Sequence, residues 1–127
     1  MKSYFILLVW LVGILLPMAW FGRFSESYRH VFNFIFGPPW MHVITHAVLF
    51  AVLAYLLAVI VSKLTGGQSN GRVMVAVFIA ALLIALLQEV IQLGYKGRQF
   101  GYAEGFDLGV DMAGVCLGLL FFWWRNN

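Results

Sequence analysis

VMVAVFIAALLIALLQEVIQLGY, running from Val73 to Tyr95, decides the fold. Its 23 residues carry one charge, Glu89. A bilayer core about 30 Å thick is crossed by roughly 20 mostly apolar helical residues. Lipid offers no partner for backbone N–H and C=O groups, so such a run must be helical. Three similar runs accompany it: Tyr4 to Phe21, Val43 to Val61 with His46 inside, and Leu108 to Trp124 with Asp111 inside. The composition agrees, with 63% hydrophobic and 10% charged residues. A soluble domain averages about 45–50% and about 25%, so a water-soluble globule and a disordered chain are both excluded. The net charge of +3 is too small and too scattered for a nucleic-acid surface. A single cysteine, Cys116, excludes an intrachain disulfide framework and a Cys-based zinc site.

The expected architecture is one all-α domain over residues 1–127. It is an integral membrane four-helix up-down bundle with spans at about 4–21, 43–61, 73–95 and 108–124. Pro17 is expected to kink the first span, with Gly13 one turn earlier. That span reads as a retained helix, because its apolar core exceeds a signal-peptide h-region and no A-x-A-like site follows it. Between the first two spans, SESYRHVFNFIF starts at Ser25, a suitable N-cap. It places Tyr28, Phe32, Ile35 and Phe36 on one face and Glu26, Arg29, His30 and Asn33 off it, which predicts a short interfacial helix. Four spans put both termini on one side with Lys2, Lys63, Arg72 and Arg125, against Arg23, Arg29, Lys96 and Arg98 on the other. The positive-inside rule is balanced by this count. All five acids fall on the second side, so the purely basic terminal side is expected in the cytoplasm.

Ionisable residues inside a membrane cost at least about 2.5–3.5 kcal/mol each at a helix centre. Their placement is therefore informative. His42 and His46 share a face near the start of the second span, Glu89 and Gln92 lie near the end of the third, and Asp107 and Asp111 share a face at the start of the fourth. At a rise of 1.5 Å per residue, His46 sits about 9 Å below Trp40, Glu89 about 9 Å below Tyr95 and Asp111 about 6 Å below Asp107. Three helices thus bring polar side chains to one level beneath one membrane surface. The Asp107–Asp111 face continues to Gly114 and Gly118, and the Glu89 face continues back to Ala85 and Ala81. Small residues permit close helix contact, so a tight seam is expected between the third and fourth spans.

HAVLFAVLAYL from His46, EVIQ from Glu89, Arg98, and FDLGVDMAGVCLG from Phe106 together resemble the VanZ-like family of small integral membrane proteins. The resemblance covers roughly Met41 to the end. Asp111 stands where that family usually has Asn. The family is associated with the bacterial envelope and with low-level resistance to the glycopeptide teicoplanin. The resemblance implies a bacterial cytoplasmic-membrane protein and a polar site, but no reaction.

Each residue also has a plainer reading. Asp107 would cap a helix, His46 would hydrogen-bond a neighbouring helix, Arg98 would anchor to lipid headgroups, and His42 would be solvated. Glu89 lies too deep for a cap, which leaves an ion pair with Arg98 or a hydrogen-bond network with His46 and Gln92. Two chemistries remain open. In one, His46, Glu89 and Asp111 hold a divalent metal, with His42 or Asp107 completing the shell. In the other, Glu89 acts as acid or base while Arg98 grips a lipid phosphate or carboxylate. Whether the protein is an enzyme, and which cofactor it uses, stay open. The leading functional reading is a pocket for a lipid-linked or amphiphilic ligand, with Glu89, Asp111 and His46 as its reactive groups and Gln92, Arg98, Asp107 and His42 as binding groups. The alternative is a non-catalytic subunit of a membrane protein complex. A transporter ranks last, because the acids do not continue across the membrane.

Overall fold

The computed structural model describes every residue except Pro17, Gln68, Ser69 and Arg98, together with the side chains of Ala19 and Trp20. Five α-helices make up the described chain: α1 (Lys2–Leu15), α2 (Glu26–Phe36), α3 (Pro39–Leu64), α4 (Asn70–Lys96) and α5 (Tyr102–Asn126), with a 3-10 turn at Met18–Arg23. Three of them, α3, α4 and α5, are long and apolar enough to cross a membrane. Their outer faces carry exposed Val48, Val75, Ile79, Leu83, Leu117 and Leu120, the surface of a membrane-embedded helical protein. At 26, 27 and 25 residues they exceed the expected spans at both ends. Pro38 and Pro39 start α3, where a missing N–H costs nothing. Gly97, in the left-handed region at φ 67°, ends α4.

The first span differs from expectation. Helix α1 has 14 residues and stops at Leu15, so residues 4–21 do not form one continuous α-helix. Leu16, the residue before a proline, is extended at φ −76° and ψ 122°, as the clash with a following proline ring demands. Pro17 itself, where a kink was expected, lies outside the described residues. At 1.5 Å per residue, α1 is about 21 Å long, short of a bilayer core. Two bonds fix its depth. Trp10 Nε1–H donates to the Leu49 carbonyl at 2.9 Å, and Gln88 Nε2–H donates to the Ile14 carbonyl at 3.1 Å. The last carbonyls of a helix have no partner within it, and Gln88 supplies one to Ile14.

Helix α2 follows the sequence reading closely. Ser25 caps it, accepting from the Tyr28 N–H at 3.2 Å. Tyr28, Phe32 and Phe36 stack along one face, with successive ring centroids 5.9 and 4.9 Å apart. Glu26, Arg29 and His30 pair on the exposed side.

Helices α3 and α5 run parallel, with α4 antiparallel to both. Facing residues keep nearly constant register: His42 with Asp107, His46 with Asp111, Ala47 with Gly114, Ala51 with Gly118, and Tyr55 with Arg125. The tight seam is therefore α3–α5, not the α4–α5 seam expected from Ala81 and Ala85. Those two alanines are fully buried in the common core with Phe50, Leu53, Ala54, Ala58 and Val115.

A Cβ at Gly114 would strike the Ala47 carbonyl, and one at Gly118 the Ala51 carbonyl, whereas at Gly109 it meets open space. Gly114→Val should therefore lower stability in detergent by about 1–3 kcal/mol or more, the cost of overpacking. Gly109→Ala should leave it unchanged or slightly raised. Thermal unfolding of the two variants checks this, and equal melting temperatures would refute the seam.

Candidate functional site

The histidines and aspartates of the site are placed by the α3–α5 register. Just above the Ala47–Gly114 contact, His46 Nδ1 lies 2.7 Å from Asp111 Oδ1. A further turn up, His42 Nε2 lies 3.1 Å from Asp107 Oδ1. The two imidazoles face each other at 4.3 Å between centroids. The pairs differ in environment: side-chain exposures are 7% and 0% for His46 and Asp111, but 45% and 12% for His42 and Asp107. In the lower pair Asp111 is sealed and His46 is nearly so; the upper pair is more exposed.

Asp107 is not a cap. Helix α5 begins at Tyr102, five residues before it, and Glu104 accepts the Gly101 N–H at 2.9 Å. Asp107 thus sits in the second turn, where its carboxylate faces α3. Glu89 approaches the same cluster from α4, close enough to interact electrostatically with Asp107, Asp111, His46 and Lys96. It is 1% exposed, and neither carboxylate oxygen has a hydrogen-bond partner among the described residues. No bond joins it to His46 or Gln92 there, so the network expected from the sequence is carried by the two His–Asp pairs alone. Arg98, the other expected partner of Glu89, lies outside the described residues.

Beside the pairs lies a cavity of about 500 Å³. Its polar side is formed by His42, Thr45, His46, Gln88, Gln92 and Lys96. Its apolar side comes from the end of α1 and the 3-10 turn (Gly13, Ile14, Leu16, Met18), the aromatic face of α2 (Tyr28, Phe32, Phe36), and Leu49. A second hollow, of about 620 Å³, reaches the upper pair and shares Phe36, His42 and Lys96 with the first. Tyr102, Phe106 and Asp107 line that one. Gln88 escaped the sequence reading, although it continues the Ala81–Ala85 face by helical spacing. The cavity escaped it as well, because it comes from where α1 stops.

Two imidazoles and a carboxylate are metal donors by type. His42, His46 and Asp107 each offer one ligand atom, all within 4.8 Å of one another. This set differs from the His46, Glu89 and Asp111 set favoured by the sequence, because Asp111 is spent on orienting His46.

Truncating one partner of a buried pair strands the other. His46→Ala should therefore cost about 3–5 kcal/mol by leaving Asp111 buried and alone, and His42→Ala, at the more exposed pair, about 1 kcal/mol or less. Denaturant or thermal unfolding in detergent ranks the two, and the reverse order would contradict the burial pattern. Comparison with protein-family models, with curated proteins and with solved structures gives no match to this chain, so its function must be argued from the site.

Proposed function

We propose that the protein binds an amphiphilic, lipid-linked ligand in the cavity between α1, α2, α3 and α4. The observation that carries this reading is the cavity's two-sided wall, with aromatic and aliphatic groups opposite His42, His46, Gln92 and Lys96. Its volume falls within the roughly 300–1,000 Å³ of small-molecule sites, which combine apolar walls with a few convergent polar groups. An amphiphile meets both demands. Its headgroup lies against Lys96 and the histidines, and its chain lies along Leu16, Phe32 and Leu49. Lys96 lines both hollows, which favours an anionic headgroup.

The resemblance of the His46, Glu89 and Asp107–Asp111 segments to VanZ-like proteins supports the same reading. On that basis the chain is a bacterial cytoplasmic-membrane protein with cytoplasmic termini, in which α1 completes a four-helix bundle. The role that follows is handling of an envelope lipid, of the kind that bears on glycopeptide resistance.

Gly13 lines the cavity, and a Cβ there meets nothing within 4 Å, so Gly13→Phe fills the cavity without disturbing a packed contact. In native mass spectrometry from mild detergent, the wild type should retain added phosphatidylglycerol. Gly13→Phe should retain at least about tenfold less at an unchanged melting temperature. Equal retention by both proteins would remove the cavity as the binding site. Co-elution of a stoichiometric second protein in place of lipid would favour the complex-subunit alternative.

A further inference from the structure

We propose that His42, His46 and Asp107 bind one divalent transition-metal ion of the zinc class where the two hollows meet, with Asp111 as the outer partner that fixes the His46 ring. The inference goes beyond lipid binding and does not require it. Three observations carry it. First, the donors form a compact set, with one atom from each residue inside 4.8 Å. Tetrahedral ligands about 2.0–2.1 Å from zinc lie about 3.4 Å from one another, so these side chains need only small rotations to close on an ion. The 3.1 Å between His42 Nε2 and Asp107 Oδ1 is already near that separation.

Second, the His46 ring is held as a ligating histidine is held. Its Nδ1 lies 2.7 Å from Asp111 Oδ1; a carboxylate there takes the Nδ1–H of the neutral ring, and Nε2 then carries the lone pair for a metal. A carboxylate behind an imidazole in this way sets the tautomer and raises the basicity of the other nitrogen. Asp111 is fully buried, so the orientation is rigid. Third, the surroundings suit a cation and give it a way in. Glu89 is buried nearby with neither oxygen hydrogen-bonded among the described residues, which adds an unengaged carboxyl group beside the two His–Asp pairs. His42 lines both hollows, His46 the first and Asp107 the second.

Two histidines and one carboxylate leave a coordination position open. Water or an anionic headgroup oxygen from the adjoining cavity would take that position. The i,i+4 spacing of His42 and His46 sets their rings 4.3 Å apart, and Asp107 brings a third donor to the same wall.

The test uses the full chain, without a polyhistidine tag, purified in mild detergent and stripped with chelator. Zinc is titrated by calorimetry, and cobalt serves as a spectroscopic probe through its visible absorption. The wild type should bind one zinc per chain. His42→Ala and Asp107→Ala, at the more exposed pair, should each weaken binding at least about tenfold while remaining monodisperse. Asp111→Asn should weaken it about 10–100-fold, and His30→Ala on α2 should change nothing. No zinc bound by the wild type at micromolar concentrations, or binding indifferent to both His42→Ala and Asp107→Ala, would overturn the site. Lipid retention is read on the same samples: zinc without lipid overturns the lipid reading alone, and lipid without zinc overturns the metal alone.

Discussion

Two parallel helix backbones in near contact govern the rest of this structure. In lipid there is no hydrophobic drive between helices, so association depends on close van der Waals packing and interhelical hydrogen bonds. Gly114 and Gly118 provide the first by admitting the Ala47 and Ala51 carbonyls. The His46–Asp111 and His42–Asp107 bonds provide the second. The two devices depend on each other. Asp107, Asp111, Gly114 and Gly118 lie on one stripe of α5, so the glycine contact sets the depth at which each carboxylate meets its histidine. Sliding α5 by one turn would press the fully buried Asp111 carboxylate against Ala47, and an unpaired charge at that depth costs several kcal/mol.

The cavity has a different origin, in a helix that ends early. Leu16 precedes a proline and takes an extended conformation, so α1 terminates level with Gln88, beside the polar cluster. Its freed Ile14 carbonyl would be costly in lipid, and Gln88 reaches across from α4 to bind it. The volume that a longer α1 would occupy remains open above that point. The aromatic face of α2 closes over it, and the Tyr28 hydroxyl donates to the Met18 carbonyl at 2.9 Å. One sequence feature thus ends a helix and shapes a binding wall.

What was legible in the sequence follows from local rules. Apolar run length identifies α3, α4 and α5, Ser25 announces the start of α2, and a fixed rise per residue brings His46, Glu89 and Asp111 to one level before any helix is packed. What stayed hidden is partner choice. The stripe of Asp107, Asp111, Gly114 and Gly118 is plain, but nothing along the chain says that it faces Ala47 and Ala51 on α3 and not Ala81 and Ala85 on α4. A small residue is as compatible with a crowded core as with a helix seam, and Ala81 and Ala85 occupy the core. Asp107 looked like a cap because the apolar run starts at Leu108. Helix α5 starts at Tyr102, since Glu104 satisfies the Gly101 N–H and so extends the helix into polar sequence.

The distribution of polarity along the α3–α5 seam also bears on what the site can do. Its buried polar contacts lie at the end near Trp40. Below His46 the seam consists of Ala47, Ala51, Gly114 and Gly118, and beneath these Phe50, Leu53, Ala54, Ala58, Val115, Leu119 and Phe122 form a closely buried core. Among the described residues, side chains hydrogen-bond across this seam again at the far end, where Arg125 donates to Tyr55. Among the described residues no chain of polar groups links the two ends through the bundle, so an ion or headgroup entering at His42 has no hydrogen-bonded route onward. Both hollows approach the His42–Asp107 pair from the same end of the helices. On the proposed reading, a ligand would enter and leave such a site from one end of the helices, which suits binding or chemistry at a headgroup better than conduction across the membrane.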